Sequence, residues 1–236
     1  MPPGMNDYVK HDGENPGAES FMALLDASGI RGRVVLVGAS FGGWNMRLLA
    51  STHEERVAGL VLVDARHEAN AERFAAAGMS ENPPWVEWMS RLAPLAAHVG
   101  LARLVGFAPG INPSALAPSV QRFARATRFR SSAFRAGADE LTSGEESARQ
   151  VKSARRILDI PLVVVSAGRR RSPQVADILD SLQRDQVSLS NRSCQVTAER
   201  SGHGVSIQQP AIVVDAIRAT VEASRQVAVL PNCGSR

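Results

Sequence analysis

The feature that most constrains the fold of this chain is a glycine-flanked serine between an apolar run and a helical pattern. The run Val34–Val37 is short and rich in β-branched residues, as expected of a buried strand. It leads into the sequence G-A-S-F-G at residues 38–42, and helical spacing then continues to about His53. This G-x-S-x-G pattern between a strand and a helix predicts a sharp turn that projects the Ser40 hydroxyl beyond the end of a sheet.

The residue types at this turn suit a nucleophilic serine. Gly38 and Gly42 would leave room for the close packing that the turn demands. The amide that follows the serine, that of Phe41, would point at a developing oxyanion, where the helix N-terminus adds partial positive charge. We therefore predict Ser40 as a nucleophile and the Phe41 N–H as a backbone donor of an oxyanion hole.

Three further apolar runs predict strands, and helical periodicity recurs between them. The predicted strands after the first lie at residues 59–64, 160–166 and 193–198, and the clearest helices outside the central block at 18–28, 41–53, 175–185 and 210–225. Continuous apolar strands that alternate with helices predict an α/β fold with a mostly parallel sheet covered by helices on both faces.

The segment between the second and third strands is too long for a single crossover connection. Its helical periodicity is interrupted by prolines, which predicts several short helices and no strand. We interpret residues 65–158 as an inserted helical lid above the carboxyl ends of the strands, where ligands bind in such sheets. The core would then comprise residues 1–64 and 159–225, followed by a flexible tail at 226–236. Apolar lid residues suggest an apolar substrate pocket, although packing within the lid is expected to explain most of them: Trp85, Trp88, Met89, Leu92, Leu95, Leu101 and Leu104.

A nucleophilic serine needs a general base, and His203 is the strongest of the five histidines. It is flanked by glycines in the loop between the last strand and the last helix, where small neighbours let an imidazole project. Asp64 ends the second strand and is predicted as the acid that orients His203. Asp177 is the alternative, because the loop after the third strand holds no carboxylate before it. His67, just after the second strand, is a further candidate to line the site.

Charge and composition limit the kinds of partner and cofactor that the chain is expected to bind. The formal charge is +4, and arginines cluster at residues 122–135 and 169–171. No aromatic interleaving or binding motif accompanies them, so we interpret them as solvated surface and expect no nucleic-acid partner. Cys194 and Cys233 form no C-x-x-C pair, so neither a zinc site nor a disulfide framework is implied, and we expect one buried and one exposed thiol. We also expect chemistry without a metal or a cofactor. No apolar run approaches the ~20 residues that span a bilayer, and no leader pattern is present, so we expect a cytoplasmic protein.

Taken together, the ordered motifs resemble those of the α/β-hydrolase superfamily, and most closely its bacterial lid-bearing serine hydrolases. The resemblance spans about residues 18–225 and is carried by four segments: 35–43, 57–64, 160–164, and Gly202-His203 with the following Gln209-Pro210 and terminal helix. It implies a Ser-His-Asp triad of Ser40, His203 and Asp64. The implied enzyme is esterase-like and acts on a small carboxylic ester, thioester or lactone. Haloalkane dehalogenases, which carry aspartate at this turn, are disfavoured, whereas cofactor-free oxygenases and haloperoxidase-like relatives share the triad and stay open.

The chain departs from the family pattern before the turn. Only 33 residues precede Val34, where the family has four strands and a His-Gly-type loop that supplies the second oxyanion amide. We therefore expect a shortened core in which the strand Val34–Val37 is an exposed edge. Three interpretations stay open. The chain is a fragment of a complete hydrolase, an inactive relative that acts as a binding or interaction protein, or a chain completed by a partner, as in a homodimer formed by strand exchange.

Overall fold

The computed structural model describes residues 16–82, 84–106, 116–225 and Leu230. The strands are β1 Val34–Ala39, β2 Val57–Val63, β3 Leu158–Ala167 and β4 Ser190–Ala198. The first helices are α1 Pro16–Ala27, α2 Gly42–Thr52, α3 Asn70–Ala76, α4 Pro84–His98, α5 Leu101–Leu104 and α6 Pro118–Thr127. They are followed by α7 Ser131–Thr142, α8 Gly144–Ser153, α9 Pro173–Val187, α10 Val205–Gln208 and α11 Pro210–Arg225, and a 3-10 turn at Glu54–Arg56 precedes β2.

The four strands form one sheet in the order β1-β2-β3-β4, and every neighbouring pair is parallel. The register places Val37 beside Val61, Val61 beside Val163, and Val163 beside Cys194. The predicted α/β architecture with a parallel sheet is confirmed, and all four predicted strands are present, with ends that differ from the predicted ones by at most three residues. Because the strands are parallel, their carboxyl ends lie at the same edge of the sheet.

Both faces of the sheet are covered, because successive side chains of a strand point to opposite sides. Leu60 and Leu62 of β2 pack with Met22 of α1 and Leu49 of α2. Val61 and Val63 of the same strand belong to a second apolar cluster on the other face, which is closed by residues of α11. That second cluster also includes Val163, Val165, Val213, Ala216, Ala223 and Leu230.

The chain separates into two compact units, and the sheet belongs to the first, which comprises residues 1–70 and 147–236. The second unit spans residues 71–146. Its described secondary-structure elements are all helices, with α4 packed on α7, as predicted for the central block. The unit is shorter than the predicted insertion of 65–158, because the segment from residue 147 packs with the sheet unit. Its role as a lid stays a prediction.

The apolar side chains expected to pack within the helical block are mostly exposed, so that expectation is wrong. Trp85 is 52% and Trp88 57% exposed, and Leu104 reaches 83%. Leu92, Leu95 and Leu101 are also exposed. Packing inside this unit therefore does not explain the apolar character of these residues.

β1 is one edge of the sheet, and the structure shows no partner strand for its outer side among the described residues. Val37 on this strand is 41% exposed, unlike its register partner Val61, which is fully buried. The predicted exposed edge is therefore present in the described part of the chain. Strand exchange or dimerisation through this edge stays a prediction.

Two further sequence expectations concern the cysteines and the membrane. Cys194 on β4 is disulfide-bonded, so the expectation of a buried thiol is wrong for this residue. Cys233 and almost all of the predicted flexible tail lie outside the described residues. Within the ranges that the structure describes, no helix has the length and apolar character needed to cross a bilayer.

Candidate active site

The loops that follow the four strands converge at the carboxyl edge of the sheet. Ser40 follows β1, Asp64 follows β2, Arg170 follows β3 and His203 follows β4. All four residues belong to the sheet unit. The site therefore assembles from one residue per strand, which is where parallel α/β sheets bind their ligands.

Ser40 lies on a strained turn between β1 and α2. Its φ is 51°, in the left-handed region that non-glycine residues rarely adopt. The Ser40 N–H donates to the Val63 carbonyl at 3.2 Å, and the Ser40 carbonyl accepts from the amides of Gly43 at 3.1 Å and Arg66 at 3.0 Å. These three hydrogen bonds tie the turn to the end of β2 and hold the strained conformation in place.

The glycines of the turn have unequal roles. A Cβ built on Gly38 would lie 2.7 Å from both the Gly42 carbonyl oxygen and the Gly43 Cα, so the backbone leaves no space there. A Cβ on Gly43 would lie 2.3 Å from the Ala65 Cβ, whereas one on Gly42 would meet nothing within 4 Å. The prediction that close packing requires a glycine at 38 agrees with the structure, but for Gly42 it is wrong. The close approach of α2 to the loop after β2 instead requires Gly43.

His203 connects Ser40 to Asp64. Its Nε2 lies 2.9 Å from the Ser40 Oγ, and its Nδ1 lies 2.7 Å from the Asp64 Oδ2. The imidazole is 65% exposed, whereas the carboxylate is buried. The structure thus brings together the three residues that the sequence proposed as base, nucleophile and acid, from positions up to 163 residues apart.

The His203 loop is fixed by the short helix α10, which the sequence did not predict. The Gly202 N–H donates to the Gln208 Oε1 at 2.8 Å, and the Arg200 N–H donates to the Gln209 Oε1 at 2.7 Å. On its other side the loop is joined to the one after β3, because the Arg169 N–H donates to the Ser201 carbonyl at 2.9 Å. The side chains of Gln208 in α10 and Gln209 just after it therefore hold this loop in place.

Asp64 is held as a buried carboxylate. Its φ is 41°, and its backbone N–H donates to the Val165 carbonyl at 2.6 Å. The Oδ1 accepts from the Ala167 N–H at 3.1 Å. Burial alone would raise the pKa of Asp64, but the hydrogen bonds from His203, Arg170 and Ala167, together with the Arg170 charge, lower it to about 2. The group is therefore ionised at neutral pH. Asp177 lies exposed on α9, and the carboxylate that accepts a hydrogen bond from the His203 Nδ1–H is that of Asp64.

Arg170 is the residue of this site that sequence reasoning missed. Its Nη1 donates to the Asp64 Oδ2 at 3.1 Å and its Nη2 to the Asp64 Oδ1 at 2.8 Å, which is a two-point contact. The Arg170 side chain is 7% exposed, so its interpretation as solvated surface is wrong, although Arg169 and Arg171 beside it are exposed. One signal was available: a buried aspartate needs a counter-charge, and this loop offers arginines and no acid.

Phe41 follows Ser40 as the N-terminal cap of α2. No acceptor for its amide lies among the described residues, and its ring packs beside that of Trp44 with the centroids 5.3 Å apart. The amide therefore lies next to the serine at a helix N-terminus, the position at which oxyanion-hole donors act. The role of this amide stays a prediction.

His67 is not part of this constellation. It is buried, its Nε2 lies 2.6 Å from the Asp185 Oδ2, and its Nδ1 accepts from the Ala69 N–H at 3.0 Å. Because Nδ1 accepts, the proton is on Nε2 and the ring is neutral. Burial lowers the pKa of His67 and outweighs the opposing effect of the acids Glu68 and Asp185. The contacts of His67 are therefore those of a residue that supports the fold.

Beside His67, Glu68 forms a buried ion-pair network. Arg47 contacts both Glu68 oxygens, at 2.6 Å and 2.9 Å, and Arg155 bridges Glu68 to Asp185 at 2.9 Å and 2.8 Å. Burial alone would raise the pKa of Glu68, but the hydrogen bonds and charge of Arg47 lower it to about 2. This network ties α2 and α9 to the loop that follows Asp64. Neither here nor elsewhere in the described part of the chain is a group of three or more His, Cys, Asp or Glu side chains arranged to hold a metal ion.

A parallel sheet with a serine on the turn after one strand and a histidine on the loop after another is the arrangement of hydrolases of the α/β class. Comparison of sequences agrees: the sequence model of the alpha/beta hydrolase family matches residues 6–216. The chain belongs to this family. A comparison with curated protein sequences found no match.

Solved structures give the same fold. A thermophilic esterase from Thermogutta terrifontis superposes with a TM-score of 0.55 at 21% identity, over 89% of this chain and 72% of the esterase chain. Cfl2 from Burkholderia cenocepacia gives a TM-score of 0.54 at 22% identity, over 85% of this chain and 69% of its own. An E-2-(acetamidomethylene)succinate hydrolase gives 0.50 at 18% identity, over 88% and 73%. At these identities the likeness shows the α/β-hydrolase fold.

Proposed function

We propose that the chain is a serine hydrolase that cleaves small ester-like molecules, namely carboxylic esters, thioesters or lactones, through an acyl-enzyme. The observation that carries this proposal is the position of His203, with one ring nitrogen 2.9 Å from the Ser40 Oγ and the other 2.7 Å from the Asp64 Oδ2. These distances are within the range required of a nucleophile, its base and the group that orients the base.

In the proposed reaction, the Ser40 Oγ attacks the carbonyl carbon while the His203 Nε2 takes its proton. The Phe41 N–H and the α2 N-terminus stabilise the negative oxygen of the tetrahedral intermediate. His203 then gives the proton to the leaving oxygen or sulfur, and the acyl group stays on Ser40. A water molecule, deprotonated by His203, attacks this acyl-enzyme. The bond between the acyl carbon and the Ser40 Oγ then breaks, His203 returns the proton to the Oγ, and the acid is released. Asp64 stays ionised throughout and accepts the Nδ1–H of the imidazolium.

Family membership and the turn residue support this chemistry. One structural relative is described as an esterase and another as a hydrolase, and a serine at the turn suits acyl transfer. The strained φ of 51° at Ser40 is also the conformation in which a turn of this kind projects its side chain toward the substrate. Because the His203 imidazole is exposed, a small molecule can approach Ser40 and His203 from the solvent side.

The direct test is hydrolysis of p-nitrophenyl acetate and butyrate by the wild-type chain. Ser40→Ala and His203→Ala are each expected to lower kcat about 10⁴-fold or more. Ser51→Ala on α2 and His53→Ala at its end are the matched controls and should hydrolyse like wild type. Turnover that survives Ser40→Ala unchanged would exclude the serine mechanism. A folded wild-type chain with no turnover would instead favour the alternative, a binding protein built on the same fold.

Two further elements of the proposal concern the surroundings of the site. We propose that the helical unit of residues 71–146 is the lid, and that its exposed Trp85 and Trp88 contact apolar parts of the substrate. Trp85→Ala and Trp88→Ala should then raise KM for butyrate more than for acetate. Equal effects on the two esters would contradict this role.

We also propose that β1, with exposed Val37, pairs with a second copy of the chain. Val37→Lys places a charge on this edge, which is how natural edge strands avoid pairing. Sedimentation of the wild-type chain should show a dimer that Val37→Lys dissociates. A wild-type chain that sediments as a monomer at all concentrations tested would contradict the pairing.

A further inference from the structure

Arg170 occupies the loop after the third strand, which is the usual alternative place for the acid of a hydrolase triad. In this chain the acid follows β2, and the loop after β3 supplies a cation instead. The guanidinium holds both oxygens of Asp64, through hydrogen bonds of 3.1 Å and 2.8 Å. The His203 Nδ1 and the Ala167 N–H make the other two contacts, so each carboxylate oxygen accepts two hydrogen bonds.

Few charged groups among the described residues contact Asp64, His203 and Arg170. Among the described residues, the Asp64 carboxylate contacts two charged or titratable side chains, His203 and Arg170. His203 contacts Asp64 and Ser40, and Arg170 also lies near Asp180, with the Nε 3.7 Å from its Oδ1. Arg170 and Asp64 are both nearly inaccessible to solvent, which limits the screening of their interaction.

The Arg170 guanidinium changes how strongly the Asp64 carboxylate stabilises the imidazolium form of His203. With neutral His203, the Arg170–Asp64 pair has no net charge. When His203 takes a proton, the group of three carries one positive charge, whereas an isolated Asp64–His203 pair would become neutral. Arg170 therefore makes protonation of His203 less favourable than it would be beside Asp64 alone.

On the basis of the proposed function, we propose that Arg170 is a positioning residue that holds the Asp64 carboxylate toward His203 and moderates its effect on that ring. The two-point contact fixes the direction of the carboxylate, and the guanidinium charge offsets part of the attraction between Asp64 and the imidazolium. The acidic limb of the pH profile of hydrolysis is then set by the arginine as well as by the aspartate.

The test is the pH profile of kcat/KM for hydrolysis of p-nitrophenyl acetate by the full chain. Arg170→Gln removes the charge and keeps a hydrogen-bond donor, and should move the acidic limb of the profile to higher pH. Arg170→Lys keeps the charge but not the two-point contact, and should move that limb less than Arg170→Gln does while lowering kcat. The exposed Arg171 of the same loop provides the matched control, Arg171→Gln, which should change nothing. If Arg170→Gln does not fold, Arg170→Met, which fills a similar volume without charge, takes its place with the same expected displacement of the limb.

A folded, active neutral variant whose acidic limb coincides with that of wild type would overturn the role of Arg170. This outcome is distinct from failure of the proposed function. A folded wild-type chain that hydrolyses no ester at any pH would overturn the proposed function, and with it the inference that depends on it.

Discussion

Ser40 and Asp64 follow register partners on neighbouring parallel strands, and both have positive φ, 51° and 41°. Neither is glycine, so each carries backbone strain at the point where its strand ends. Such strain costs on the order of 1–3 kcal/mol per residue and persists only where the surroundings enforce it. The common geometry turns both side chains out of the sheet at the same edge, where His203 contacts them.

The strain at Ser40 can be measured by comparing two variants that both lack the hydroxyl. Ser40→Gly adopts φ of 51° without strain, whereas Ser40→Ala retains the Cβ that makes this left-handed conformation costly. We expect Ser40→Gly to be about 1 kcal/mol more stable than Ser40→Ala in urea denaturation. Equal stabilities would mean that the turn relaxes and that the strain is not enforced by the fold.

Substitution by alanine should affect stability very differently at the two glycines of the turn. Gly38→Ala places a Cβ 2.7 Å from backbone atoms of the next turn of chain, and should cost about 1–3 kcal/mol of stability and most of the activity. Gly42→Ala meets nothing within 4 Å and should be neutral or slightly stabilising. Thermal unfolding of both variants checks this, and a Gly38→Ala chain with wild-type melting would contradict the close packing.

The role of Asp64 can be separated from that of Asp177 by isosteric substitution. Asp64→Asn removes the charge that orients His203 and stabilises its imidazolium, and should lower kcat about 10⁴-fold. Asp177 is exposed on α9, so the Asp177→Asn variant should hydrolyse the ester like wild type. Steady-state kinetics on one p-nitrophenyl ester decides between them. The opposite order of effects would assign the acid to Asp177.

Glu68 should make stability depend on pH. Its folded pKa of about 2 lies below the ordinary value of 4.5, so on acidification the unfolded chain binds the proton first. The stability that this group contributes, on the order of 3 kcal/mol, is therefore present above about pH 4.5 and is lost as the pH falls toward 2.

Comparison of wild type with Glu68→Gln isolates this contribution from those of other acids. The difference in free energy of unfolding should be largest at pH 7, because glutamine leaves the buried Arg47 without its counter-charge. The difference should shrink by about half or more at pH 3. A difference that stays constant from pH 7 to pH 3 would show that the Glu68 carboxylate has an ordinary pKa in the folded chain.

The strands and the order of the site loops could be predicted because local pattern determines them. Apolar β-branched runs such as Val61–Val63 have few alternatives to a buried strand, and the serine turn is recognisable from six or seven residues. Parallel strands then bring their carboxyl ends together, so the proximity of Ser40, Asp64 and His203 followed from topology. Each of these conclusions depended on contacts that are either local or imposed by the sheet.

The remaining features depended on contacts between loops, which leave no periodic signal. Arg170 lies between two exposed arginines, and only its position over Asp64 distinguishes it from them. The need for a glycine at 43 comes from Ala65, on a different loop, and Gln208 acts only because α10 places it against the His203 loop. These residues are fixed by close approach in three dimensions, and their neighbours in sequence say little about it.

The central claim is that Ser40 is a nucleophile activated by His203. The most direct measurement is reaction of the folded chain with a fluorophosphonate, followed by mass spectrometry of the peptide that contains residues 34–47. We predict one adduct on Ser40, lost in Ser40→Ala and strongly slowed in His203→Ala, with Ser51→Ala labelled at the wild-type rate. A folded wild-type chain that forms no adduct, or an adduct that persists in Ser40→Ala, would contradict the account.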